Sequence, residues 1–298
     1  MNAVTEAVHA GPSASVRKVA VVGGGTMGNG IAQVFATAGI DVALVDAKPE
    51  LVERALGTIG RSLERVAKKQ GWPADRAPGV LARVRGGTDI AAARDCPVVI
   101  EAVSEDMALK RRLFEQLDAL APATAVLASN TSSISITELA AATKRPDRVI
   151  GMHFMNPVPV MPLVEIIRGL ATSDATYALT EDLTQRLGKT PVEVRDSPGF
   201  VSNRILMPMI NEAAYCLMEG VASREAIDAV MKLGMSHPLG PLALADLIGL
   251  DTCLSIMEVL HAGLGDSKYR PCPLLRRMVA AGWLGRKSGR GFFEYPAA

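Results

Sequence analysis

Two titratable side chains stand inside apolar runs near the middle of the chain. His153 lies in the run that follows Arg148, and Glu165 lies in the run that starts at Leu163. Because a buried charge requires a partner, each group is the natural partner of the other. An imidazole held by a carboxylate can take up and return a proton during a reaction. A histidine satisfied inside a hydrophobic core is the alternative explanation for His153.

A second pair of ionisable residues follows a predicted strand. Residues 98–103 are apolar enough to form a strand in the middle of a parallel sheet, and Glu105 and Lys110 come after them. Open α/β sheets bind ligands at the C-terminal ends of their strands. Both side chains are therefore candidates for a ligand site.

A stretch of small polar residues follows the next predicted strand. The strand covers residues 125–128, and the five residues 129–133, with Ser132 among them, are all Ser, Asn or Thr. At the end of a strand they can present hydroxyl groups to a ligand. They can equally cap the helix predicted near residues 136–139.

A glycine turn near the start of the chain provides a binding element for phosphates. A β-branched run ends at Gly23, and Gly25 and Gly28 follow at the G-x-G-x-x-G spacing. The first glycine allows a tight turn, the second a close approach of pyrophosphate, and the third close packing of helix on strand. Thr26 and Met27 complete the turn, and the helix that follows offers free N–H groups to phosphate.

The second strand of this unit ends in a carboxylate. Asp46 stands 18 residues after Gly28, where a carboxylate can accept hydrogen bonds from both hydroxyls of the adenosine ribose. The same charge repels a 2′-phosphate, so NAD is favoured over NADP, with Lys48 leaving NADP as the lesser option. A glycine turn in another kind of α/β protein, with Asp46 as a helix cap, is the alternative.

One predicted helix carries a basic face. Residues 51–69 show an apolar stripe at helical spacing, and Ser62, Arg65 and Lys69 share another side. A solvated charged face is one interpretation. A binding surface for a phosphate-rich ligand is the other.

The order of the predicted elements divides the chain. Strands and helices alternate over residues 16–195, which predicts an α/β domain with a Rossmann-type, mostly parallel sheet, after a loose tail at residues 1–15. Residues 196–298 read as an all-α domain. Its apolar helices either form one packed bundle core or bury a face against a second subunit.

Composition excludes several classes of protein. The chain has 298 residues, 49% of them hydrophobic, and a net charge of +1, which indicates neither a nucleic-acid partner nor a membrane surface. No apolar run reaches the length of about 18 residues that a membrane span needs. The four cysteines form no C-x-x-C pair, so we expect free thiols in the cytoplasm and no metal site.

Two longer motifs carry a family resemblance. Residues 152–161 (MHFMNPVPVM) and 196–204 (DSPGFVSNR), together with the glycine turn, closely resemble the L-3-hydroxyacyl-CoA dehydrogenase family, and most of all its short-chain bacterial branch. The resemblance covers about residues 16–295. Ser202 and Met155 depart from the usual family residues, which leaves the preferred acyl length open.

The resemblance implies a set of site residues. It implies a catalytic set of Ser132, His153, Glu165 and Asn203. It implies NAD contacts at the glycine turn and at Asp46, Glu105, Lys110, Ser132, Asn156 and Lys287. It implies acyl-CoA contacts at Ser62, Lys69 and Ser132, and a homodimer formed through the helical domain.

The activity implied is the reversible NAD-dependent oxidation of (S)-3-hydroxyacyl-CoA to 3-ketoacyl-CoA, with His153 as the proton acceptor. A related dehydrogenase of a free hydroxy acid or sugar acid is the main alternative. A Ser-His-Glu hydrolase is disfavoured because Ser132 lacks the G-x-S-x-G elbow. A non-catalytic relative is disfavoured because all four catalytic residue types are present.

Overall fold

The computed structural model describes residues 11–296 and divides between Asp196 and Ser197 into two compact units. The first unit is α/β, and the second is helical. The prediction of a Rossmann-type sheet domain followed by an all-α region is thereby confirmed.

One sheet organises the first unit. Its strands are β1 Lys18–Val22, β2 Asp41–Val45, β3 Val84–Gly87, β4 Val98–Glu101, β5 Val126–Ser129, β6 Val149–Phe154, β7 Leu163–Arg168 and β8 Thr190–Arg195. They lie in the order β3-β2-β1-β4-β5-β6-β7-β8, and only the β6–β7 pair is antiparallel. The central strands are almost continuously apolar because helices cover both faces of a parallel sheet.

The helices of the first unit begin and end at recognisable residues. They are α1 Thr26–Thr37, α2 Pro49–Gln70, α3 Arg76–Leu81, α4 Met107–Leu120, α5 Ile136–Ala140 and α6 Asp174–Arg186. Pro49 occupies the first turn of α2, and Gly71, with φ of 63°, ends it. The carboxylate of Asp106 caps α4 by accepting the Leu109 N–H at 2.7 Å.

The junction of β1 and α1 depends on glycine. Gly23 has φ of 102°, a region that favours glycine, and its N–H donates to the Val45 carbonyl at 2.7 Å. A Cβ on Gly28 would lie 1.7 Å from the Gly23 carbonyl oxygen. The third glycine of the turn is therefore required by the close packing of α1 on β1, as expected from its spacing.

Residues 11–15 depart from the loose tail expected for residues 1–15. Ser13 is fully buried, its N–H donates to the Asp182 carboxylate at 2.8 Å, and Arg186 of α6 donates to the Ser13 carbonyl. Partners about 170 positions away in sequence hold this turn, and no local pattern predicts them. Residues 1–10 lie outside the described part of the chain.

The second unit is built from five described helices: α7 Ser202–Met218, α8 Arg224–Gly234, α9 Pro241–Ile248, α10 Leu250–Leu264 and α11 Pro273–Ala280. Met207, Leu242 and Leu260 lie in its hydrophobic core. The buried carboxylate of Asp228 accepts the first N–H groups of α9, from Leu242 at 2.9 Å and Ala243 at 3.0 Å, and so joins α8 to α9. Across both units, no helix of the described residues is long and apolar enough to cross a membrane.

Candidate active site

The antiparallel pair of β6 and β7 brings His153 and Glu165 together. The two residues are directly opposed in register, and their side chains leave the same face of the sheet. His153 Nδ1 lies 2.8 Å from Glu165 Oε2, and the two residues are 7% and 2% exposed. The carboxylate engages the imidazole through Nδ1 rather than Nε2.

The polar stretch after β5 is fixed beside the end of β6. The buried amide oxygen of Asn130 accepts the Phe154 N–H at 2.9 Å. Phe154 is the neighbour of His153 in the chain, so this hydrogen bond sets the position of the 129–133 stretch relative to the imidazole. Ser132 lies half-buried within that stretch.

Glu105 gathers the same stretch around one carboxylate oxygen. Its Oε1 accepts hydrogen bonds from the N–H groups of Ser132 at 3.0 Å and Ser133 at 3.1 Å, and from the hydroxyls of Thr131 and Ser133. Helix α5 is capped instead by Ser135, whose hydroxyl accepts the Glu138 N–H. The polar residues 131–133 therefore bind the Glu105 carboxylate, and the capping explanation does not account for them.

The charge of Glu105 is stabilised in the folded protein. Burial alone would raise the pKa of its carboxyl group, but the Lys110 ammonium at 3.2 Å and the hydrogen bonds from Thr131, Ser133 and Ser132 outweigh it. The pKa of Glu105 consequently lies below its ordinary value of 4.5. The carboxylate is ionised at neutral pH and can accept further hydrogen bonds from a ligand.

Lys110 lies deeper than a direct ligand contact would require. Its side chain is 1% exposed, and its Nζ lies 2.6 Å from the buried carboxylate of Glu101. Glu101 also accepts the Ser129 hydroxyl at 2.6 Å and the Val103 N–H at 2.7 Å. Lys110 therefore positions the Glu105 carboxylate through an ion pair and does not itself face the solvent. Sequence reasoning missed Glu101, although an acid ending a buried apolar strand signals a paired charge.

A cleft of about 450 Å³ joins three of the predicted binding elements. Its walls include the glycine turn at Gly24–Thr26, the loop at Asn156–Pro159, and Ser62 with Arg65 of α2. Asp46 lies at the turn, where its carboxylate accepts the N–H groups of Gly24 at 2.6 Å and Ala47 at 2.7 Å. A carboxylate has about four acceptor positions, so capacity remains for ribose hydroxyls.

The turn suits a dinucleotide phosphate. A Cβ on Gly25 would meet nothing within 4 Å, so the space above that residue is open to a ligand. Thr26 begins α1, whose first N–H groups point out of the turn, and Met27 packs on the hydrophobic core. These residues fit the pyrophosphate of a dinucleotide.

The residues that line this cleft do not include His153, Glu165, Ser132, Glu105 or Lys110, and three further predicted site residues also lie outside the lining. Lys69 is exposed in the last turn of α2, two helical turns beyond Ser62. Asn203 belongs to the second unit, in the first turn of α7, and is 8% exposed. Lys287 also belongs to the second unit, and its ammonium lies 2.6 Å from the Asp251 carboxylate.

The described residues contain no cluster of side chains that could bind a metal ion. Within residues 11–296, no group of three or more His, Cys, Asp or Glu side chains is arranged to hold a metal ion. The four thiols are unpaired, and burial raises the pKa of Cys253 to about 12.

Comparisons with known proteins agree with the motifs. The family described as 3-hydroxyacyl-CoA dehydrogenase matches through its NAD binding domain at residues 18–197 and through its C-terminal domain at residues 199–295. The resemblance inferred from the sequence is therefore confirmed.

Three relatives illustrate the similarity. The chain is 59% identical over 280 residues to a probable 3-hydroxybutyryl-CoA dehydrogenase of Bacillus subtilis, covering 94% of this chain and 98% of the relative. It is 54% identical to a 3-hydroxybutyryl-CoA dehydrogenase of Bradyrhizobium diazoefficiens, covering 96% and 98%. The crystal structure of (S)-3-hydroxybutyryl-CoA dehydrogenase from Ralstonia eutropha superposes with a TM-score of 0.92 at 54% identity, covering 95% of this chain and 100% of that one.

Glu105→Gln tests the electrostatic role of Glu105. Because the folded-state pKa is lowered, its stabilisation is fully present above the unfolded value and is lost as the pH falls through the folded value. We expect E105Q to lower the free energy of unfolding at pH 7 by about 1 kcal/mol, a modest figure because the side chain is 37% exposed. Urea unfolding of both proteins from pH 7 to pH 3 measures the difference.

The difference should shrink only below about pH 4.5. Glu115→Gln, at an exposed position on α4, is the matched control and should change little. No difference at pH 7, or a constant difference down to pH 3, would contradict the role assigned to Glu105.

Proposed function

The chain belongs to the 3-hydroxyacyl-CoA dehydrogenase family, and on that basis we propose that it interconverts (S)-3-hydroxybutyryl-CoA and acetoacetyl-CoA with NAD. The observation that carries the chemical assignment is the buried contact between His153 and Glu165. The names of the relatives motivate the short acyl chain.

His153 is the group that handles the proton. Oxidation removes a proton from the C3 hydroxyl and a hydride from C3, and a ketone remains. NAD, when bound, supplies the hydride acceptor. His153 Nε2 takes the hydroxyl proton, and in the reverse direction the imidazolium returns it to the forming alkoxide.

Glu165 orients the imidazole and stabilises its charged form. Its carboxylate accepts from Nδ1–H at 2.8 Å, which fixes the tautomer in which Nε2 acts as the proton acceptor. At 2% exposure, the ionic attraction between carboxylate and imidazolium is little screened by water. The pair therefore accepts a proton without exposing a charge that lacks a partner.

Hydrogen-bond donors to the substrate come from two further residues. The N–H group of Ser132 donates to the Glu105 carboxylate, which fixes the residue. We propose that its hydroxyl donates a hydrogen bond to the reacting oxygen or to the thioester carbonyl. The side-chain amide of Asn203 is assigned the same type of role. Ser132 would also contact the dinucleotide.

The contacts with the dinucleotide are assigned to the glycine turn and to residues near it. The glycine turn takes the pyrophosphate, and the Asp46 carboxylate beside the turn takes the adenosine ribose. Asn156, which lines the cleft, and Glu105 are assigned further contacts with the dinucleotide. Lys110 acts through Glu105, and Lys287 remains a proposed direct contact. The negative charge at Asp46 favours NAD over NADP.

The basic face of α2 is assigned to the CoA portion of the substrate. Ser62 and Arg65 line the cleft, and Lys69 lies beyond them on the same side of the helix. Phosphate groups of CoA match cations and hydroxyls in this arrangement. The alternative activity is that of a dehydrogenase of a free hydroxy acid. Such a substrate carries no CoA phosphates for this basic face to bind.

A substrate comparison separates these two activities. NADH oxidation should be rapid with acetoacetyl-CoA and at least about a hundredfold slower with free acetoacetate, because remote binding energy is lost. Lys69→Ala should raise KM for acetoacetyl-CoA about fivefold, the loss of one phosphate contact, and Lys144→Ala, at an exposed site away from α2, should not. Equal rates with the thioester and the free acid would favour the alternative activity.

His153→Gln tests the proton transfer. The amide cannot accept and return the proton, so kcat should fall by about a thousandfold or more, within the range for general acid–base catalysis. NADH binding, measured by fluorescence titration, should be unchanged. Glu165→Gln should lower kcat by a smaller factor. Activity of H153Q within about tenfold of the wild type would rule out His153 as the base.

We also propose a homodimer formed through the helical unit, in the cytoplasm. Val230, Leu233 and Met235 in and just after α8 are 61%, 85% and 60% exposed, an apolar surface typical of subunit contacts. Leu233→Asp should convert the dimer to a monomer in sedimentation velocity. Leu170→Asp, at a leucine of the first unit that is 90% exposed, should leave it dimeric. A wild-type monomer would contradict the dimer.

A further inference from the structure

A proline-rich loop forms one wall of the cleft and carries Asn156. This segment, residues 156–162, connects β6 to β7 and contains Pro157, Pro159 and Pro162. Residues 156–159 line the cleft. We call it the proline loop. Its position sets the distance between Asn156 and whatever binds at the glycine turn.

The proline loop makes few hydrogen bonds of its own. Proline has no N–H group, and the N–H groups of Val160 and Met161 both donate to the same acceptor, the Pro157 carbonyl, at 3.0 Å. The carbonyls of Val158 and Met161 need donors from elsewhere. A buried carbonyl without a donor costs about 1 to 3 kcal/mol.

Lys189 supplies both donors. Its Nζ lies 2.7 Å from the Val158 carbonyl oxygen and 2.7 Å from that of Met161. The residue is 9% exposed, and burial lowers the pKa of its ammonium group. The next residue, Thr190, adds a backbone bond to the Pro162 carbonyl at 2.8 Å. Lys189 and Thr190 therefore fix the proline loop through three hydrogen bonds to its carbonyl groups.

Helix α1 limits the loop from the opposite side. Val158 is 2% exposed, and a Cβ on Gly30 would lie 2.8 Å from the Val158 Cβ. Gly30 thus allows the loop to lie directly on α1. The loop is confined between a helix surface that admits no extra atom and a lysine that binds two of its carbonyls.

We propose that Lys189 is a positioning residue for the dinucleotide: it fixes the proline loop, and through the loop Asn156, at the distance from the glycine turn that NADH binding requires. The inference rests on the proposed function in taking NAD as the ligand of this cleft. Lys189 itself does not line that cleft, so it acts through the loop.

Lys189→Met removes both donors at similar side-chain length. The Kd for NADH, from fluorescence titration, should rise about tenfold, corresponding to the loss of one to two buried hydrogen bonds. At saturating NADH, kcat with acetoacetyl-CoA should change less than about threefold, because His153 and Glu165 are not displaced. Lys189→Arg retains donors and should restore most of the affinity. Lys144→Met, at an exposed lysine, should match the wild type.

A second variant displaces the loop from the other side. Gly30→Ala should raise the Kd for NADH similarly, since Val158 must move to admit the methyl group. Gly79→Ala is the control, because a Cβ there meets nothing within 4 Å. Circular dichroism and thermal unfolding establish that each variant is folded. If K189M does not fold, G30A and K189R decide the question.

The outcomes separate this inference from the proposed function. A Kd for NADH within twofold of the wild type in folded K189M, or in G30A if K189M does not fold, would overturn the role of Lys189. That result would leave acetoacetyl-CoA reduction by the wild type intact. Conversely, a wild type that binds NADH but does not reduce acetoacetyl-CoA would refute the substrate assignment and leave the Lys189 measurement valid.

Discussion

The cross-strand contact between His153 and Glu165 is the constraint on which the proposed active site depends. The two residues oppose each other because β7 runs antiparallel to β6. A parallel neighbour would need a crossover connection of a dozen or more residues, and only eight residues separate Phe154 from Leu163. The short connection fixes the reversed direction, the direction fixes the register, and the register places a carboxylate against the imidazole. The same connection contains the proline loop, which forms one wall of the cleft.

Buried carboxylates position the other functional segments. Glu101 neutralises Lys110, and Lys110 in turn holds Glu105 against the Thr131–Ser133 stretch. In the second unit Asp246 accepts the N–H groups of Phe292 and Phe293, which fixes the chain just after Lys287. Burial raises the pKa of Asp246, against the effect of those hydrogen bonds. In each case a charged group accepts backbone donors from a loop, which orders that loop without an additional strand or helix.

Much of the fold follows from local patterns in the sequence. The helix predicted at residues 51–69 is α2 at Pro49–Gln70, because its apolar stripe has helical spacing and proline and glycine mark its ends. Helix α9 at Pro241–Ile248 lies within the region predicted to be all-α. Strands β3 and β8 were not predicted: β3 contains two glycines, and β8 is mostly exposed at the edge of the sheet. Neither has the continuous apolar run of a central strand.

The site was predictable where chemistry follows from residue type and was not where it follows from distant contacts. The pairing of His153 with Glu165 could be inferred because each is an isolated polar group in an apolar run. The contacts of Lys189 with the proline loop and of Ser13 with α6 join segments whose sequences carry no sign of one another. Only the folded chain brings those groups within reach.

Direct proton transfer requires a short distance between Nε2 of His153 and the C3 oxygen of the substrate. A crystal structure with NAD and acetoacetyl-CoA bound measures it directly. We expect Nε2 of His153 to lie about 2.6 to 3.2 Å from the C3 oxygen, the range for direct proton transfer, with Nδ1 still on Glu165. An ordered ternary complex with that nitrogen more than about 5 Å from the C3 oxygen, and no water between them, would contradict the account.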